Sequence, residues 1–141
     1  MTSATPSRAW ASAEAPSLDD LEALGREAFD GLPEAFRGLT GAVLIRVADF
    51  PEDDVLDELG IESEYGLLGL FQGVGLAHAS SIAETGQMPN MIWLYRRPIL
   101  DYWAEHEETL GHVVTHVLVH EIGHHFGLSD DDMEAIEAAA E

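Results

Sequence analysis

The sequence predicts one domain of the α+β or mixed α/β class. Short β-branched apolar runs interleave with segments of helical periodicity. A length of 141 residues suits one hydrophobic core and not two. Hydrophobic residues make up 46% of the chain, with Trp10, Trp93 and Trp103 among them, so it folds despite its charge.

The elements follow in order. Residues 1–16 are rich in Ala, Ser, Thr and Pro, and read as a disordered tail ahead of a single domain over 17–141. No apolar run follows Arg8, so the tail is no secretory signal. Ser17 is a natural N-cap, with Asp19 and Asp20 in the first turn. Leu18, Leu21, Leu24, Ala28 and Phe29 then recur at helical spacing, which predicts a helix over 18–29 that Gly31 and Pro33 end. A short turn follows around Pro33 to Arg37. Ala42 to Val47 is a β-branched run that suits a buried strand. Pro51 is expected at the first position of the next helix, which Gly60 closes. Gly69, Gly73 and Gly75 punctuate Leu67 to Ala77, with Gly66 just before it, which predicts one or two irregular strands. Met91 to Tyr95 is another strand, and Pro98 to Glu105 a short helix. A long helix covers about Glu107 to Phe126 and stops at Gly127. An acidic helix fills Asp130 to Ala140.

Composition excludes several functions. There are 27 acids against 6 basic residues, all Arg, for a net charge of -21. A nucleic-acid binder needs a basic patch, and an anionic membrane surface repels such a chain. No stretch reaches the roughly 18 apolar residues of a membrane span. The expected location is the cytoplasm. The absence of Cys removes disulfides, thiolate metal sites and cysteine nucleophiles together.

The chemistry lies in His120-Glu121-Ile122-Gly123-His124-His125-Phe126-Gly127-Leu128-Ser129-Asp130. In a helix His120 and His124 share one face, one turn apart, and two imidazoles there can hold one Zn²⁺. Glu121 lies about 100° round the helix and can reach a water on the open side of the ion, as the general base of metal-assisted hydrolysis. Gly127 lets the backbone leave the helix, which makes Asp130 the expected third ligand, with Asp131 and Asp132 as rivals. The competing reading of Asp130 is a helix cap.

At these residues the chain resembles the minimal zincins, or minizincins, a bacterial zincin-like metallopeptidase family. The pattern is that of the metzincins with Asp in place of the last His. Leu67-Leu68-Gly69-Leu70-Phe71-Gln72-Gly73-Val74 and the Leu94-Tyr95-Arg96-Arg97 run also match, and the likeness covers about Leu18 to Ile136. The resemblance implies an α+β, zincin-like fold: a small mixed sheet packed on a central metal-binding helix, with a cleft beside an edge strand. It also implies zinc and peptidase activity. The chain departs from the family at Val74 to His78, where a Pro is expected near the Gly, and no Met-turn follows the motif; Met133 reads as a helix contact.

Other residues have competing roles. His112, His116, His120 and His124 repeat every four residues. His116 is a candidate second layer behind the metal or an ordinary hydrogen-bonded core histidine. His125 points away from the ligand face. Tyr95, Arg96, Tyr102 and His78 are candidate donors to the developing oxyanion, with acid pairing the competing role for Arg96 and Arg97. Gly69, Gly73 and Gly75 could admit a peptide backbone to an edge strand, or simply mark tight packing.

The sequence therefore points to a zinc-dependent hydrolase acting on a peptide or protein that is not strongly acidic. His120, His124 and Asp130 hold the metal, and Glu121 is the base. The alternative is a non-catalytic or autoinhibited zinc-binding interaction module that keeps the site. An endoribonuclease of the His-x-x-x-His-x-x-Gly-x-x-His type is disfavoured by Glu121 and by the charge.

Overall fold

The computed structural model describes residues 6–73 and 90–140. Its elements in chain order are α1 (Pro6–Ala11), α2 (Leu18–Asp30), α3 (Glu34–Thr40), β1 (Val43–Ala48), α4 (Asp53–Leu59), a 3-10 turn (Glu64–Gly66), β2 (Gly69–Gln72), β3 (Asn90–Tyr95), α5 (Arg96–Glu105), α6 (Leu110–His125) and α7 (Asp130–Ala140). The expectations for Val74 to Ala77 and for His78 lie outside the described residues.

Local chemistry explains most boundaries. Ser17 caps α2 through a reciprocal capping box: its hydroxyl accepts from Asp20 N at 3.0 Å, and Asp20 Oδ2 accepts from Ser17 N at 2.9 Å. Thr109 caps α6 by accepting from His112 N at 3.1 Å. Gly60 ends α4 at φ 70° and Gly127 follows α6 at φ 75°, the left-handed region where a Cβ is costly. A few elements differ from expectation. Residues 6–11 form a helix within the segment expected to be disordered. Pro51 precedes α4 by two residues, and Glu52 takes the N-cap position. Helix α5 starts at Arg96, with Pro98 inside its first turn, where no intrahelical donor is lost.

The sheet is small and mixed, in the order β1-β3-β2. Strands β1 and β3 run parallel, with Ile45 opposite Ile92; β2 and β3 run antiparallel, with Phe71 opposite Ile92 and Gly69 opposite Leu94. The sequence predicts a buried strand over 42–47, and β1 is that strand, with one face buried. Among the described strands it lies at an edge, and its burial alternates, with Val43 and Ile45 buried and Leu44 39% exposed. An edge strand with one face on the core needs only every second side chain apolar.

The core lies on one face of the sheet. There Ile45, Ile92, Leu94 and Phe71 meet Leu21 and Phe29 of α2, and Val114, Leu118 and Ile122 of α6. Gly25 brings α2 down onto the sheet, because a Cβ at that position would stand 2.9 Å from Leu94 Cδ1. Gly69 does the same for α6 on β2: its missing Cβ would lie 2.6 Å from Val117 Cγ1. Helix α6 buries Val113, Val114, Val117, Leu118, Val119 and Ile122, so it is the central, rigidly held helix that the sequence predicts.

Candidate metal centre

The motif occupies the last turns of α6. His120 and His124 stand one turn apart, with ring centroids 5.5 Å apart and ring planes near perpendicular. Glu121 turns toward the sheet edge, its Cγ about one van der Waals contact (3.5 Å) from where a Gly69 Cβ would stand. It is partly buried there, and burial pushes its carboxyl up to about 7. A carboxyl in that range exchanges a proton readily near neutral pH.

Beyond α6 the chain reverses at Gly127. Leu128 N donates to Gly123 O at 2.9 Å. Ser129 caps α7 in a reciprocal box with Asp132: Ser129 Oγ accepts from Asp132 N at 3.1 Å, and Asp132 Oδ2 accepts from Ser129 N at 3.3 Å. Asp132 is thereby committed to the cap, and the capping role once open to Asp130 falls to Ser129. Asp130 is the first residue of α7 and is exposed. Helix α7 then folds back along α6. Met133, fully buried, packs onto Gly123, whose missing Cβ would stand 2.5 Å from Met133 Sδ. Met133 is thus a helix contact, as its place in the sequence suggested.

This antiparallel return brings up a residue that sequence reading passed over. Glu137 Oε1 lies 2.9 Å from His116 Nδ1, and its Oε2 lies 3.2 Å from His120 Nε2. Its side chain is only 12% exposed. His116, proposed from sequence as a second layer, is therefore joined to His120 through Glu137, and the two rings tilt against each other at 4.0 Å. Burial first, and His116 next, hold the His120 imidazole below its usual range, against the opposing pull of Glu137. No helical periodicity of the ligand face includes Glu137. A hairpin of two antiparallel helices about Gly127 would have predicted the pairing.

The remaining candidates are placed as follows. Arg96 is tied elsewhere: its Nε donates to Pro16 O at 2.6 Å, and its Nη1 pairs with Asp49 at 3.0 Å. Arg97 lies over the Phe50 ring at 5.6 Å. Tyr102 stacks on His106 at 3.8 Å. Tyr95 ends β3 and is buried, and its hydroxyl is pushed up to about 12, by burial first and then by the charges of Glu52 and Glu121. It stays protonated at any ordinary pH. His125 packs on Phe71 at 4.6 Å and does not join the ligand face. His112 pairs with Glu108 at 3.2 Å.

The donor set fits a divalent transition metal. Among the described residues, the donors that lie together are His116, His120 and Glu137, within 4.8 Å of one another; the predicted ligands His124 and Asp130 do not join that group. Nitrogen and oxygen donors of this kind suit zinc. No helix among the described residues is long and apolar enough to cross a membrane. No curated protein matches the chain. A family model of zincin-like metallopeptidases matches residues 40–140, from the end of α3 to the end of α7. The match takes in the whole sheet and both helices of the metal hairpin, and on that ground the chain belongs to the zincin-like metallopeptidase family.

Proposed function

We propose that this chain is a zinc-dependent metallopeptidase. The observation that carries the reading is the placement of Glu121: it follows His120 on the central helix, one residue round from the His120/His124 pair and against Gly69 of β2, within the span that the family model matches, where a carboxylate can serve as a general base. His120 and His124 would hold the metal, with Asp130 as the third donor. The left-handed turn at Gly127 and the start of α7 at Asp130 support that third place. When bound, zinc would supply Lewis acidity that polarises the scissile carbonyl and acidifies a water.

The chain's own residues do the rest. Glu121 takes a proton from the attacking water and passes it to the departing amine nitrogen. Strand β2 lies at the sheet edge, against α6 at Gly69 and Val117, with β3 its pairing partner among the described residues. We propose that an extended peptide binds alongside β2, the strand that Glu121 faces at Gly69, with main-chain hydrogen bonds for affinity. Tyr95, protonated and tied to the start of β2 by its N–H donating to Leu68 O at 3.0 Å, is the oxyanion donor we favour; Arg96 is engaged with Pro16 and Asp49. The net charge of -21 disfavours acidic substrates.

The test is cleavage of a charge-varied peptide panel by zinc-loaded and chelator-treated protein. We expect zinc-dependent cleavage of neutral and basic peptides. Cleavage that survives complete metal removal overturns the reading.

A further inference from the structure

The carboxylate of Glu137 is held by two histidines one turn closer to the start of α6 than the motif pair. One ligand atom from each of His116, His120 and Glu137 lies within 4.8 Å of the other two. Two donors bound to one tetrahedral zinc at 2.0–2.1 Å are about 3.3 Å apart. The Glu137 carboxylate faces both rings at about that spacing, Oε1 at 2.9 Å from His116 and Oε2 at 3.2 Å from His120. The scaffold is stiff, because α6 and α7 are locked by Met133 against Gly123. The approach is electrostatically favourable as well. Glu137 also lines an open groove of about 690 Å³ between α2 and the start of α6, with Glu27, Glu107 and Glu108 on its walls. Such a rim concentrates cations at the mouth.

We propose that His116, His120 and Glu137 form a second binding site for a divalent transition metal of the zinc class. Both this site and the motif pair draw on the His120 imidazole, whose Nε2 faces Glu137, so the two compete for that ring. A metal held by His116 and Glu137 takes His120 away from His124. The consequence for activity rests on the peptidase reading above; the metal site itself does not.

The test is titration of metal-free protein with Co²⁺ and Zn²⁺, followed by calorimetry and by the Co²⁺ visible absorption band. His124→Ala removes the motif pair and leaves the second site whole. We expect this variant to bind one equivalent of metal. Adding Glu137→Gln, or separately His116→Gln, should weaken that binding at least about tenfold. Using two different second substitutions, with metal-free circular dichroism on each, separates loss of a ligand from loss of the fold. If His124→Ala binds no metal, or if neither added substitution weakens binding, the second site does not exist. Either result leaves the peptidase reading standing, and a wild-type protein that cleaves nothing leaves this site standing.

Discussion

At the scale of single residues, burial decides what Glu121 can do. Its carboxyl is raised to about 7, against about 4.3 for an exposed glutamate. In metal-free protein the folded state therefore binds the proton that the unfolded state has already released between about pH 4.3 and 7. The stability from this group is fully present below that window and is lost as pH rises through it. Glu121→Gln should flatten this part of the pH profile and raise the melting temperature of metal-free protein above pH 7, measured by thermal unfolding in the presence of chelator. An unchanged profile would mean that the carboxyl is not desolvated in solution. Ser17 offers an independent check. Its capping box holds the Asp20 carboxyl below the usual range through the Ser17 backbone and hydroxyl bonds. Ser17→Ala should cost about 1 kcal/mol in denaturant unfolding.

At the scale of elements, two glycines set how closely the site is assembled. Gly69 lets β2 meet α6 beside Glu121, and Gly123 lets α7 meet α6 through Met133. A Cβ at Gly69 would press on Val117 Cγ1 at 2.6 Å and on Trp93 O at 3.0 Å, and the latter is backbone that cannot swing aside. Gly69→Ala should therefore cost about 1–3 kcal/mol, read by urea unfolding. Met133→Ala should cost about 2–5 kcal/mol, because a fully buried side chain leaves a cavity between two helices. What was legible in the sequence follows from the same geometry. His120, Glu121 and His124 could be read because helical spacing alone puts them on adjoining faces, and Gly127 because only its conformation lets the chain turn. Glu137 could not. Seventeen residues separate it from His120, and only the α6–α7 hairpin closes that distance. Arg96 was equally opaque, since its partners Pro16 and Asp49 are 80 and 47 residues away. The exposure of Leu44 on β1 was not legible either, because an apolar run carries no mark of how its strand sits in the sheet.

At the scale of the whole molecule, the charge is a global strain as well as a filter on partners. With 27 acids against 6 arginines, the compact state carries self-repulsion that dissolved ions screen. Thermal stability should therefore rise from low to molar NaCl, and a melting temperature independent of salt would show that the acids lie too far apart to interact. The mixed α+β architecture serves the site economically: one sheet face, two helices laid on it, and a third returning along the central helix. The central claim concerns the proton carried by Glu121. Its most direct test compares wild-type protein and Glu121→Gln, both zinc-loaded and with metal content measured, on one peptide mixture. The account predicts equal zinc content and a loss of cleavage in the variant of about 10²–10⁴-fold. Cleavage by Glu121→Gln at the wild-type rate would contradict it.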